Sequence, residues 1–405
     1  MKKVLVIAHF VPYPIVSGGH QAMFSAIDCL RDEYKFFIFY QTNQTKNVNM
    51  LKELWNNVEF IEIKSANKIV SRRVLREIKK MAIAIFNKFN IYNKKGSPLN
   101  EFPFYFNNYS KHYIDFLNDF ITNNKIDILQ VEFVQNLSLV CAISVPVKKI
   151  FVHHELRFSR HELFLATQNI SSSDYIYRYS FLKNEEVTLL NLYDSIITLS
   201  EIDKQKLLNN FVLTEVYSSF ATSRFSEKLS SIKSFDGHID FVGSEKHPPN
   251  KFGLQWFLDH CWDQLKTRYK LNIIGNWSQT SAKELEKKYQ NIQVLGFVDN
   301  LEDVISGGIM IVPITIGSGI RMKILEAVNL GVPFVSTSIG VEGLPFENGE
   351  DCFIADESLE FCNRIEELSS DNDLYNKFII SSKKKFFDHL SYDKLRKTRV
   401  QAYED

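Results

Sequence analysis

A chain of 405 residues is too long for one ordinary hydrophobic core and points to two domains of roughly 150–200 residues each. Its composition, 45% hydrophobic and 24% charged with a formal net charge of +0, is that of a globular protein with no global field directed at nucleic acid. The five cysteines, Cys29, Cys141, Cys261, Cys352 and Cys362, form no CxxC pair, which argues against a zinc site or disulfide framework and for thiols in a reducing compartment.

The opening stretch MKKVLVIAHFVPYP has a short apolar run, no small-residue cleavage site, and prolines at Pro12 and Pro14. It reads as the first strand of an α/β sheet rather than a signal peptide. No run in the chain reaches the roughly 18 apolar residues of a membrane span. HQAMFSAIDCLRDEY follows as an amphipathic helix and FFIFYQ as the next strand. IDILQVEFV, KKIFVHHE and YDSIITLS repeat the strand signal, with helical stretches between. This βαβ alternation predicts a parallel sheet covered on both faces.

The pattern then restarts. HIDFVGS is a strand, FGLQWFLDHCWDQLKTRY a helix, and LNIIGN, IQVLGFV, IMIVPI and PFVSTS are further strands. The reading is one Rossmann-like unit over residues 1–220 and a second over 235–385, with the break near residue 225 inside the irregular segment Tyr217–Ser234. The last helix pair, LYNKFIISSKKKFFDHLSYDKLRKTRVQ, has no strand to serve, so its end, 386–405, is expected to cross back onto the first unit.

The stretch ITIGSGIRMKILEAVNLGVPFVST, Ile314–Thr337, carries the most chemistry. In a doubly wound sheet, ligands sit at the carboxyl ends of the strands, where IMIVPI delivers the loop TIGSGI. Gly317 and Gly319 let backbone approach a ligand closely. The helix expected from Ile320 to about Leu330 presents unpaired N–H groups and a positive dipole end, an anion site suited to a diphosphate. Arg321 and Lys323 in the first turn oppose that dipole and therefore call for a ligand or partner. Glu326, further along, has the two acceptor oxygens that a ribose diol requires.

PITIGSGIRMKILEAVNLGVPFVSTSIGVEGL resembles the C-terminal donor-site motif of the GT-B glycosyltransferases, in the large retaining family 4 (group 1). FVGSEKHPPNKFGLQWFL resembles the opening of that family's second domain, SGGHQAMFSAIDCL its first-domain glycine loop, and DSIITLSEIDK the strand and helix before the linker. The resemblance implies two Rossmann-like domains facing across a cleft, with 1–220 on the acceptor side and 235–385 binding a nucleotide-diphosphate sugar. It implies no metal and no cofactor. Glu326 would hold the ribose, and the loop Gly317, Ser318, Gly319 with the backbone of Ile320, Arg321, Met322 and Lys323 would cradle the diphosphate. Gly18 and Gly19 would approach the same phosphates from the first domain. Ser244 stands where many relatives have an arginine, so Lys246, Arg321 or Lys323 would supply that charge. Phe297 and Val298 would border the base. One departure matters: the family often has a second glutamate eight positions before Glu326, where this chain has Ser318. A subset with Gly-Ser-Gly lacks it too. The change removes a carboxylate that would contact the transferred sugar.

In FVHHELRF the adjacent His153 and His154 point to opposite faces of an extended segment, so only one can face the cleft. The family places a histidine there, near the transferred sugar and followed by an acid or amide. His154-Glu155 fits that pairing best. No third ligand has suitable spacing for a metal. Glu132, ending IDILQVEFV, is a candidate acceptor-side base or orienting group, or a plain loop acid.

The stretch Lys64–Lys95 is basic, with Glu77 as its single acid and Val74, Leu75, Ile78, Met81, Ala82, Ile85, Phe86 and Phe89 at helical spacing. It fits contact with an anionic bilayer through 67–95, or equally a helix packed on its own domain with a solvated basic face. The expectation is a cytoplasmic enzyme, peripheral on the inner face of the membrane in the first case. It would act on a glycan or lipid-linked acceptor in bacterial surface polysaccharide or glycoconjugate synthesis. Two rival readings share the fold: a nucleotide-sugar epimerase and a non-catalytic scaffold subunit.

Overall fold

Strands buried on both faces need continuous apolar runs, and those runs form two parallel sheets. The computed structural model describes residues 1–63, 109–167, 172–223, 233–317 and 319–405. The first sheet contains β1 (Lys3–Ile7), β2 (Lys35–Gln41), β3 (Glu59–Ile63), β4 (Ile128–Glu132), β5 (Lys148–His153), β6 (Ser195–Thr198) and β7 (Glu215–Ser218). The second contains β8 (His238–Val242), β9 (Lys270–Ile274), β10 (Ile292–Gly296), β11 (Ile309–Val312), β12 (Phe334–Ser336) and β13 (Phe353–Ile354). The strand orders are β3-β2-β1-β4-β5-β6-β7 and β10-β9-β8-β11-β12-β13. Both are doubly wound, so their carboxyl ends gather the loops that carry chemistry.

Three strands escape the sequence reading: β3, β7 and β13. Each lies at an edge of its sheet. An edge strand is half-covered and short, so EFIEI, EVYS and FI lack the continuous apolar run that marks a central strand.

The outer face of each sheet has its own core. Leu5, Leu129, Val131 and Phe151 belong to one, and Ile239, Phe241, Ile309 and Phe361 to the other. The inner faces share a core: Val4, Val6, Ile128, Ile150 and Val152 of the first sheet join Met310, Val312 and Met322 of the second half in one cluster. Each fully buried aliphatic side chain contributes about 1.5–3 kcal/mol relative to exposure. The two halves therefore meet through packed apolar surface.

The helix Asn372–Leu390 packs on the second half, where Tyr375 donates to the Gly308 carbonyl at 2.8 Å. After a break at Ser391 the last helix, Tyr392–Glu404, returns to the first sheet. Lys2 pairs with Glu404 at 2.6 Å, the Tyr34 hydroxyl donates to Glu404 at 2.7 Å, and Lys148 donates to the Ala402 carbonyl at 3.2 Å. Leu395, Arg399, Ala402 and Tyr403 are its buried residues.

Candidate active site at the seam of the two sheets

The loop after β11 leads into a helix at Met322–Asn329, two residues later than its sequence suggests. Arg321 is its N-cap and contributes no side-chain cap. Among the described residues, the N–H groups of Ile320, Met322 and Lys323 have no protein acceptor. An N-terminus in that condition offers free donors and a positive dipole end. Ile324, Leu325, Ala327 and Val328 bury the opposite face of the helix. Lys323 and Glu326, three positions apart and both half-buried, share the remaining face.

The charges here are under tension. Burial pushes the Lys323 ammonium down to about 7, Arg321 adds to the effect, and Glu326 opposes it. Burial pushes the Glu326 carboxyl up to about 7, opposed by Lys323. Lys323 donates to Asn250 Oδ1 at 2.8 Å and lies 4.7 Å from the centre of the Phe241 ring. The Glu326 carboxyl makes no hydrogen bond or ion pair among the described residues. Both groups gain from a ligand: a diphosphate would hold Lys323 charged, and a diol would satisfy Glu326.

Arg321 behaves differently. It is 8% exposed, and its Nη1 donates to the Gly319 carbonyl at 2.6 Å, bracing the loop from beneath. Its countercharge comes from the first half. Burial works against the Glu155 carboxylate, but Arg160, His247, Arg321 and Arg157 outweigh it and hold Glu155 below the usual carboxylate range. Arg160 lies 2.9 Å from Glu155.

The two halves meet at this loop. A Cβ on Gly319 would lie 2.6 Å from the His154 carbonyl oxygen, and the residue has φ +80°, so only glycine fits. A Cβ on Gly18 would lie 2.9 Å from Met322 Cγ, so the first-half glycine loop rests on the start of the helix. Gly19 packs against Phe133, and Gly317 lies beside Pro249 and the Arg321 guanidinium. Lys206 and Glu342 pair across the seam at 2.9 Å.

At the end of β5 the paired histidines diverge. His153 turns to the outer face, where its Nε2 meets Glu186 Oε1 at 2.8 Å. Glu186 also accepts from the Phe158 amide at 3.1 Å and the Arg157 amide at 3.3 Å, and so caps the helix Arg157–Thr167. His154 turns inward. Its Nε2 meets Glu132 Oε2 at 2.5 Å, and Phe133 stacks on its ring with centroids 3.9 Å apart. Glu132 is 1% exposed, with its other oxygen taken by Gln130 Nε2 at 2.5 Å. A carboxylate so enclosed orients the imidazole rather than meeting an acceptor itself.

The remaining sequence candidates lie around this centre. Ser244 donates to the Asn276 carbonyl at 3.3 Å. Asn250 bonds both the Ser244 carbonyl and Lys323, linking that loop to the helix. Lys246 is exposed at the end of the same loop. Phe297 is 52% exposed just beyond β10, and Val298 is half-buried against the inner core. Ser318 and the 67–95 segment lie outside the described residues. Among the described residues no helix is long and apolar enough to cross a membrane, and no cluster of His, Cys, Asp or Glu is arranged to hold a metal ion. The sequence reading missed Asn250, Phe133, Gln130 and Glu186. Asn250 follows Pro248-Pro249 in the first turn of the helix Pro248–His260. Glu186 sits inside a helix 33 residues from His153 and had no local signal.

Residues 237–371 match the family model for Glycosyl transferases group 1, so the second half carries such a domain. An uncharacterized 44.6 kDa protein in the cps region of Klebsiella pneumoniae is 31% identical over 145 residues, 32% of this chain and 37% of the relative's length. The chain thus aligns with little more than a third of that relative. Among solved structures, a point mutant of Staphylococcus aureus TarM in complex with Fondaparinux, alpha-GlcNAc-glycerol and UDP superposes with a TM-score of 0.71 at 12% identity, covering 100% of both chains. Anabaena HepE in complex with UDP and glucose gives 0.67 at 12% identity, covering 99% of each chain. Sucrose-phosphate synthase from Thermosynechococcus elongatus gives 0.69 at 10% identity, covering 100% of this chain and 98% of the other. Identities this low speak for the fold alone, and that fold is GT-B: two parallel-sheet α/β domains of seven and six strands.

Proposed function

We propose that this chain is a retaining glycosyltransferase of family 4 that moves a sugar from a nucleotide-diphosphate sugar to a glycan or lipid-linked acceptor. The observation that carries the reading is the uncapped amide end of the helix Met322–Asn329, set against His154 through Gly319. When the bond from the anomeric carbon to the diphosphate oxygen breaks, negative charge builds on the departing diphosphate. The N–H groups of Ile320, Met322 and Lys323, with the Lys323 ammonium, are positioned to meet that charge. Fixed donors in a half-buried site lower such a barrier without reorganising. Glu326 takes the ribose diol, Phe297 and Val298 border the base, and His154, held by Glu132, faces the transferred sugar. Retention comes from the family resemblance alone.

The group 1 domain over 237–371 supports the donor side of this reading. Structures of like fold that hold UDP or UDP-glucose support the donor class. The relative in a cps region supports a role in surface polysaccharide or glycoconjugate synthesis.

A thermal-shift panel of UDP-, GDP- and ADP-glucose tests the reading. A ligand that binds only the native state stabilises it by about 2.7 kcal/mol at a hundredfold excess over Kd. One nucleotide class is expected to raise the melting temperature, and Glu326→Ala to weaken its binding by about 1–3 kcal/mol, the scale of a charged hydrogen bond. No shift with any of the three would remove the donor site. Conversion of the donor sugar without an acceptor would make the protein an epimerase.

A further inference from the structure

We propose that Gln130 and Tyr403 are positioning residues for His154: a buried hydrogen-bonded line from the last helix through β4 decides which imidazole nitrogen carries the proton. Its bearing on catalysis rests on the glycosyltransferase reading, but the hydrogen-bond line and its test do not.

Gln130 and Glu132 are two apart on a strand and share a face. That face meets the last helix, since Ile128 of β4 and Tyr403 lie in one cluster. The Tyr403 hydroxyl donates to Gln130 Oε1. Gln130 Nε2 donates to Glu132 Oε1 at 2.5 Å, and Glu132 Oε2 meets His154 Nε2 at 2.5 Å. Gln130, Glu132 and Tyr403 are 0%, 1% and 2% exposed, so water does not compete for these bonds. A leucine and a phenylalanine would fill the same space. Buried polar groups at such positions are tolerated only when every partner is present.

The line has a direction. Burial pushes the Tyr403 phenol well above its ordinary range, so it keeps its proton and donates. Its donation to the amide oxygen turns the amide nitrogen toward Glu132. The reversed amide would set an oxygen against a carboxylate and leave the phenol without an acceptor. Glu132 then presents its second oxygen to the histidine. A carboxylate only accepts, so His154 Nε2 carries the hydrogen and Nδ1 keeps its lone pair. Nδ1 has no protein partner among the described residues. Phe133 holds the ring plane by stacking at 3.9 Å. The other charged or titratable groups near this line are His9 just past the end of β1, which feels His154, and Arg399, Cys29 and Tyr34 around Tyr403. A histidine in this tautomer keeps Nδ1, a buried atom in this structure, as an acceptor, and its donor side is already committed.

The test is nitrogen NMR of the full-length protein labelled at histidine, with the His154 signals assigned by their loss in His154→Gln. The wild type is expected to show the Nε2–H tautomer in about tenfold excess or more. Gln130→Met keeps shape and removes both amide bonds. Tyr403→Phe removes only the hydroxyl. Each is expected to cut the tautomer ratio severalfold, with the fold retained by circular dichroism. If Gln130→Met does not fold, Tyr403→Phe decides alone. A wild type with the proton on Nδ1, or a ratio unchanged in a folded variant, would overturn the proposal. Failure of the glycosyltransferase reading shows up separately, in the sugar-nucleotide panel, and leaves the tautomer result standing.

Discussion

His153 and His154 are sequence neighbours, and each bonds a buried glutamate, yet the two pairs serve different ends. The His153–Glu186 pair lies on the outer face of the first sheet, and Glu186 spends its other contacts on the amides that open the next helix. The His154–Glu132 pair lies on the inner face, under the loop of Gly319, where the two halves of the molecule meet. The chemistry of the pair is the same. The face of β5 decides whether it holds a helix in place or, on the reading proposed above, meets a substrate.

The sharpest way to break this contrast is to remove each histidine. His154→Ala is expected to lower turnover per folded molecule by roughly 10²–10⁴-fold, the range for a positioned acid–base group, and also to lower the melting temperature, because it leaves the Glu132 carboxylate buried without its partner. His153→Ala should lower the melting temperature as well but leave turnover per folded molecule near that of wild type, measured in the same assays. Equal losses of turnover per folded molecule in both would erase the distinction. Next in size is Glu186→Ala, which strips a buried imidazole and two helix-end amides of their acceptor. The first unfolding transition in urea should lose about 3–5 kcal/mol, the cost of breaking a buried pair, with turnover per folded molecule preserved.

The smallest effect is on pH dependence and concerns the opposite wall. Glu326 has its pKa raised from 4.5 to about 7 by burial, so the folded state binds a proton that the unfolded state releases. Its contribution to stability is full below pH 4.5 and is lost as pH rises to about 7. Glu326→Gln should therefore flatten the fall in melting temperature across that window. If the carboxyl receives the ribose, its protonation below about pH 7 weakens donor affinity, against the gain from the Lys323 ammonium, which charges in the same range; Glu326→Gln should remove the first part alone. A slope identical in wild type and variant would mean that Glu326 is not the group titrating.

Much of this was legible in the sequence because central parallel strands and glycine-bearing loops leave strong local marks. β1, β4, β5, β8 and β11 read as apolar runs, and Gly317 and Gly319 marked the loop that leads into the helix Met322–Asn329. The edge strands β3, β7 and β13 did not, since half-covered strands lose that mark. The periodicity of β5 showed that the two histidines must part but not which glutamate each would meet. Glu186 lies 33 residues from His153, and Tyr403 lies 273 from Gln130; such contacts come from topology, which no window of sequence contains. Arg321 was one of three residues, with Lys246 and Lys323, expected to supply charge at the ligand; its guanidinium bonds the Gly319 carbonyl, a contact that no local pattern announced.

The most direct test of the central claim, that the loop around Gly319 and the helix after it hold a diphosphate where the two halves meet, is calorimetric titration of UDP, GDP and ADP into wild type and Gly319→Ala. The account predicts that one of the three binds the wild type and binds the variant at least tenfold more weakly, about 1.4 kcal/mol, because the added Cβ drives the loop off the His154 carbonyl. Equal affinity in the two proteins, or no binding to wild type, would contradict it.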